Sequence, residues 1–582
     1  MDRRNLLLAG GAYALAGSAV VAEVTSAGKK PKSVSTPCHV YNSRAEVLTL
    51  TVPIGDDFIL TGGYAAPGDG GHAYYRRVGS APSHPGRFQD ASGAHWEFVD
   101  AGDGCDVKAF GAIGDGVAND TVAIVAAYQT AGATNSCVVR FPAGRFLCDN
   151  VRFDSYNNIE FRGTSKSNNA SGGTKIVSSS RTGDFWTIGV VAGNFVRDIG
   201  FTSAQVRTSG ASLKFEGSQV SGTENLFIER AKHGLELFNT GGMRFKGQTD
   251  IRDFNGKGII ANGGQDQYFF SVIMDVEGPE FTPEAGIYTE QHGGSLSFQS
   301  IDLIHTHIGY WINPGAGQFV NWQFSDVLQF DTTDWGDGGG VGMLVTPHDG
   351  GIAQGFSFNT LWTATATVGL KIKGDAQSDA NDFIIANYKG VHNHEAAIEL
   401  DYCHKVSILN ASIVGNSLSE HGAHSAVKIG AHVGQVNFTG GFIGGPFESY
   451  PDLMHKHNIE VADGFTGILT LNSVDLRGST EEPLHLGSSE PALGSRVASC
   501  AGFNPVGPSS ITVGSSPWSY TAGVTDEVVV LQGAVSLIQI TNGGGSPVTW
   551  PHDGTLNTIS LQPRQTLTVS YSGSAPAGAV TK

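Results

Sequence analysis

The residues with the clearest capacity for chemistry lie between positions 250 and 337. Asp253, Glu277 and Glu280 supply carboxylates, followed by Glu284, Glu290, Asp331, Asp334 and Asp337. Arg252, His305 and His307 add charge and proton carriers, and Tyr288, Tyr310, Trp311, Trp322 and Trp335 are interleaved with them. Two carboxylates flanking a glycosidic bond can hydrolyse it, at ~5–5.5 Å apart with retention or ~6.5–9.5 Å apart with inversion. Aromatic rings offer flat apolar faces against which sugar rings pack. Asp253 and Glu277 are therefore the predicted acid/base pair, with Glu280 in reserve. Arg252, Tyr288, His305, His307, Trp311, Trp322 and Trp335 are the predicted substrate contacts. His305 and His307 would share a face if they lie on a strand. The plainer alternative is a solvated acidic face with aromatics packing a lateral core.

Such residues need a scaffold that sets them in rows. A polar turn residue followed by an apolar one recurs at Asp198-Ile199, Asn225-Leu226, Asp250-Ile251, Asp275-Val276, Asp302-Leu303 and Asp326-Val327. Successive gaps are 27, 25, 25, 27 and 24 residues, and Asn387, Asn410, Thr439 and Asn472 continue more loosely. A repeat near this length suits one solenoid coil of three short strands, about ten to twelve coils between residues 150 and 490. Stacked coils lie about 4.8 Å apart, so outward side chains on neighbouring coils match the carboxylate separations above. Asn and Asp tolerate left-handed turns. On this register Asp250, Asp275, Asp302 and Asp326 are expected to be turn residues.

An open solenoid end exposes apolar core and unpaired backbone, so it needs a cap. Asn119 or Asp120 is a natural helix N-cap, and Val122, Val125, Ala126 and Gln129 carry helical periodicity to Ala131. The string from Asp106 to Ala131, followed by Val138-Val139-Arg140-Phe141-Pro142-Ala143-Gly144, resembles the opening of the pectate-lyase-like superfamily, as in phage tailspikes and related glycan depolymerases. Gly62-Gly63-Tyr64 and Pro67-Gly68-Asp69-Gly70-Gly71 resemble the segment that precedes that helix in tailspike-like proteins. The resemblance implies an all-β chain built on a right-handed parallel β-helix, a polysaccharide substrate and, for tailspike-like relatives, a homotrimer. The polygalacturonase signatures of that superfamily have no adequate match. Lys232-His233-Gly234 and Lys371-Ile372-Lys373 half resemble two of them.

The predicted organisation is an export signal over residues 1–22, a linker over 23–40 and a small β-rich module over 41–104. A β-helix with its capping helix over 105–500 and a C-terminal β-sandwich over 501–582 follow. Arg3 and Arg4 ahead of the apolar run Leu6–Ala22 resemble a twin-arginine signal. That run, broken by glycines, is too short and weak for a stable membrane span, so the mature protein is expected in the periplasm or outside the cell. A net charge of −18 repels phosphate backbones and argues against nucleic acid as a partner. The six cysteines lack metal-ligand spacing, leaving one or two disulfides or buried thiols open, with Cys137 and Cys148 the nearest pair. Glycine, at 80 residues, runs close to twice its ~7% average and has no collagen period.

Three functions fit these residues. The first is an exported hydrolase of an extracellular or capsular glycan that needs no cofactor. The second is a polysaccharide lyase or uronate epimerase, in which carboxylates hold calcium and Arg244, Lys246 or Arg252 serves as base. The third is a non-catalytic, tailspike-like adhesin.

Overall fold

The computed structural model describes residues 38–166, 172–332, 340–446 and 452–582. The export signal, most of the linker and Trp335, Asp334 and Asp337 lie outside the described residues.

From Cys105 to Ala498 the strands pair in parallel, each coil hydrogen-bonded to the next, in a single 30-stranded ladder that winds as a parallel β-helix. One column shows the winding. Phe161, Val196, Thr223, Phe245, Phe269, Phe298, Ser325, Phe358, Ile385, Ile408, Phe438, Leu471 and Val497 stand in register along the first of three sheets. Successive rungs are 22 to 35 residues apart, and twelve fall between positions 150 and 490, as the repeat predicts. These side chains point inward. Phe245 and Phe269 stack at 4.1 Å between centroids, Phe269 and Phe298 at 5.0 Å. Each buried ring contributes about 1.5–3 kcal/mol of apolar burial, and a ring pair about 0.5–1.5 kcal/mol more.

The helix Thr121–Ala133 closes the N-terminal end. Its buried face is Ala123, Ile124, Ala127, Tyr128 and Ala131 rather than the predicted one, and Val122 and Gln129 face solvent. Tyr128 decides the rotation, since its ring packs flat on Phe161 and edge-on to Phe153 at the open coil. Asp120 caps the helix by position, but its side chain accepts from the Ile113 and Gly114 amides instead. Burial outweighs those bonds and holds its carboxyl above the ordinary range. A five-stranded sheet over His39–Val99 precedes the solenoid, and two four-stranded antiparallel sheets over Ser509–Thr581 form the C-terminal sandwich. All six cysteines are free.

The corner between the first and second sheets is left-handed at Asp198, Asn225, Asn387 and Asn410, with φ of 56°, 54°, 50° and 55°. Their side chains form a ladder. Asn225 Nδ2 donates to Asp198 Oδ1, and Asn410 Nδ2 to Asn387 Oδ1, each at 2.9 Å. The four aspartates expected to continue it do not. The coil after Asn225 pairs Glu224 with Lys246 and Leu226 with Thr249, so two residues oppose Asn225. The left-handed corner is Gly247, with φ of 61°, and Asp250 lies three residues beyond it in the strand. Asp275, Asp302 and Asp326 also lie within strands, and none of the four has a positive φ. A fixed count of about 25 residues drifts off the corner wherever the coil is shorter or longer.

Candidate functional site

That drift turns the aspartates outward. Strand residues alternate between faces, so every second position of the second sheet looks away from the core. One outward column runs Phe227, Asp250, Ile273, Asp302, Gln329, Trp362 and Lys389 along the axis. The column beside it runs Glu229, Arg252, Asp275, Ile304 and Asp331. Asp275 and Asp331 therefore sit one coil below and one coil above Asp302, each offset by two residues. With ~4.8 Å between coils and ~3.3 Å per residue, each Cα lies about 8 Å from that of Asp302.

The three carboxylates are not alike. Burial raises the Asp302 carboxyl above its usual range, and the negative charges of Asp331 and Asp275 raise it further. Its Oδ1 is buried without a hydrogen-bond partner. Two other carboxyls held high by burial, Asp106 and Asp120, are tied to backbone amides. Asp275 accepts a 3.1 Å hydrogen bond from His305 Nδ1, and Asp331 a 3.3 Å bond from Gln329 Nε2. Arg252 Nε donates to Asp250 Oδ1 at 3.0 Å, and that bond heads the causes that raise the guanidinium pKa. Two coils above Asp302, the half-buried Trp362 has an indole Nε1 without a hydrogen-bond partner, and Lys389 Nζ lies 5.5 Å from its ring centre.

Two corners wall this floor. Between the first and second sheets, Lys166 reaches over to donate to Gln248 Oε1 at 2.6 Å, and burial lowers its ammonium pKa. Between the second and third sheets, residues 276–284 leave the strand as a loop. Asp253 anchors that loop, since its Oδ1 accepts from the Glu277 and Gly278 amides, both at 3.1 Å, from a left-handed φ of 50°. Asn255 Oδ1 accepts from the Thr282 amide at 2.9 Å, and Phe281 is fully buried beneath Arg230.

The structure thus separates the residues predicted from sequence. Asp253 brackets the loop, because its Oδ1 accepts two backbone amides, and it meets Glu277 through that residue's amide rather than its carboxylate. Glu277 is exposed on the wall loop, and Glu280 on the same loop faces Arg230 at 3.6 Å. Arg252 and His305 are at the groove. His305 has φ of 59° and, like His307, lies in the corner rather than on a strand, so the shared strand face is absent. Tyr288 and Trp311 belong to the third sheet. Tyr288 donates to Glu290 at 2.7 Å, and burial pushes its hydroxyl up to about 12. Trp311 donates to Thr346 at 2.9 Å. Trp322 stands half-exposed at the entrance to the first sheet, between Gly294 and Gly355. The repeat assigns Asp302 and Asp275 to turns, Asp331 stands only among the further acids, and Trp362 is not named from sequence. The signal for the first three is present, since Asp250 to Asp302 and Asp275 to Asp331 are each two coils.

A separate cleft of about 330 Å³ lies on the first sheet, lined by Arg244, Lys246, Tyr268, Phe270, Gln299 and Asp326 among others. Arg244 stacks on Tyr268 at 4.2 Å. With Asp326 its one carboxylate, it holds no acid/base pair. For metal ions, the one group of three His, Cys or acidic side chains among the described residues with ligand atoms within 4.8 Å of one another is elsewhere, at His457, Glu482 and His485. The groove aspartates Asp275, Asp302 and Asp331 are not part of that group.

The architecture is that of the parallel β-helix. No family model and no curated protein matches the chain. Among solved parallel β-helix structures, the tailspike of Acinetobacter phage vB_ApiP_P1 is 12% identical over 93% of this chain and 97% of that chain, with a TM-score of 0.41. A tailspike of Acinetobacter baumannii bacteriophage Fri1, a capsular polysaccharide depolymerase, is 12% identical over 94% and 97%, with a TM-score of 0.39. The A-module of a mannuronan C-5 epimerase from Azotobacter vinelandii is 15% identical over 66% and 98%, also at 0.39. At these identities the likeness is one of winding alone. No helix among the described residues is long and apolar enough to cross a membrane.

Proposed function

We propose that this chain is a polysaccharide-cleaving glycoside hydrolase whose substrate lies along the second sheet of the β-helix. The observation that carries the reading is Asp302, a carboxyl with a buried, unpartnered oxygen and a pKa raised by burial and by two flanking carboxylates. A general acid must keep its proton at the working pH and donate it to the departing sugar oxygen. Asp302 is the acid in this reading. Asp275, oriented by His305, takes the proton from the attacking water, and Asp331 helps to keep Asp302 protonated. The Cα atoms of Asp302 and Asp275 lie about 8 Å apart by strand geometry. Carboxyls ~6.5–9.5 Å apart leave room for a water and ~5–5.5 Å do not, so the anomeric configuration of the product, read by NMR, reports which spacing the side chains adopt on substrate. Trp362 is the platform for a sugar two coils from the cleaved bond, and Arg252 faces an acidic or hydroxylated neighbour. Passage out of the cytoplasm through the Arg3-Arg4 segment is part of the same reading.

The test is glycan cleavage by the mature protein, read as new reducing ends. Asp302→Asn should lower turnover by about 10²–10⁴-fold, the usual weight of a general acid, and leave the melting temperature unchanged. Turnover within threefold of the unaltered protein ends the assignment.

A second reading rests on Lys166. Its lowered pKa beside Asp250 suits the base of a β-elimination. Lyase products carry an ultraviolet-absorbing unsaturated end, and calcium dependence would show as loss of activity in EDTA. Binding of the glycan without any change in its length would favour the adhesin.

A further inference from the structure

We infer that His457, Glu482 and His485 form a binding site for a divalent transition-metal ion of the zinc class, which clamps the last coils of the solenoid. The three side chains come from adjacent rungs of the third sheet. Ile459 pairs with Leu484 and Glu460 with His485, and the Pro483 carbonyl accepts the amides of Asn458 and Ile459 at 3.1 and 3.0 Å. This backbone pairing sets His457 beside Glu482 and stacks its ring on that of His485, 4.6 Å between centres. All three ligand atoms lie within 4.8 Å of one another.

The histidine tautomer supplies an independent argument. His457 is buried, with 1% of its side chain exposed, and its Nδ1 donates to the Glu482 carbonyl at 2.9 Å. A neutral imidazole that donates from Nδ1 presents its lone pair at Nε2, and this outer hydrogen bond is what orients metal-bound histidines. The Glu481 carboxylate lies 3.5 Å from that Nε2. Glu482 accepts from His485 Nδ1. Two nitrogens and a carboxylate oxygen are borderline donors that favour zinc, nickel or copper over calcium or magnesium. The charges of Glu481 and Glu482 match a dication.

Zinc–nitrogen bonds of ~2.0–2.1 Å in a tetrahedron imply donors about 3.4 Å apart. Closing from the present spread turns Glu482 and His485, which are 53% and 36% exposed at the side chain, toward a fixed His457. It breaks their mutual hydrogen bond and tilts the His485 ring off its stack on His457. The clamp has a structural purpose. The third sheet ends in the two-residue strand Leu484–His485, where two pairing positions hold the rung.

The experiment uses the untagged mature chain, dialysed against chelator and titrated with zinc chloride by calorimetry, with melting followed by circular dichroism. One zinc per chain should bind and raise the melting temperature. His485→Ala and Glu482→Gln, both at partly exposed positions, should each weaken binding at least tenfold and lose the zinc-dependent shift while folding normally without zinc. Absence of saturable zinc uptake overturns the site. So does uptake of equal affinity in both variants, which would place the ion elsewhere.

Discussion

Replacing Asp253 with alanine separates a bracket from a catalyst. Its carboxylate holds the Glu277 and Gly278 amides at 3.1 Å each, and its backbone sits at φ of 50°. Hydrogen bonds to a charged acceptor contribute about 1.5–3 kcal/mol each. The lower figure applies at this partly exposed corner, giving about 3 kcal/mol for the pair. Alanine in a left-handed turn adds about 1 kcal/mol, because it lacks the short polar group that steadies Asp or Asn there. The sum of about 4 kcal/mol falls on one corner, since a solenoid coil touches only its neighbours. At 1.4 kcal/mol per decade, opening of the loop at residues 276–284 should become about 10³-fold more frequent. Hydrogen exchange followed by mass spectrometry on peptides from that loop measures this directly. Asp253→Asn keeps an acceptor and tolerates the turn, so it should leave exchange within about tenfold and glycan cleavage nearly intact. Loss of turnover in Asp253→Asn with the loop still protected would show that the carboxylate does chemistry and refute the bracket.

Three further outcomes follow from the same geometry. A carboxyl whose pKa is raised in the folded protein holds its proton below that value and loses it as pH climbs through it, so kcat/KM should fall on the alkaline side as Asp302 ionises. Asp331→Asn removes one of the charges that raise Asp302, so it should retain turnover with that alkaline limb moved to lower pH. A limb that stays in place would mean that Asp331 does not hold the proton. Trp362→Ala should raise KM by about tenfold, worth ~1.4 kcal/mol of lost ring contact, with kcat within threefold; an unchanged KM removes Trp362 from the substrate path. Burial pushes the thiols of Cys105, Cys148 and Cys403 up to about 12, so iodoacetamide at pH 8 should label the exposed Cys38 in the native protein and spare these three until unfolding. Rapid native labelling of Cys403 would contradict its burial.

The winding was legible in the chain because its causes are local. Asn and Asp at left-handed corners, apolar residues alternating between them and a capped helix ahead of the first coil are each short-range signals, and Asp198, Asn225, Asn387 and Asn410 stand where the repeat puts them. Which side of the wall an acid faces was not legible, because a strand turns each successive residue to the opposite face and one miscounted corner reassigns a role. A fixed count makes corners of Asp250 and Asp302, which are groove floor, and makes a catalytic acid of Asp253, which is a left-handed corner. The coils run from 22 to 35 residues, and the strand pairing fixes which residues of successive coils stand in register. That pairing is a tertiary matter, and it brings Asp275, Asp302 and Asp331 together and sets Tyr288 and Trp311 on another face.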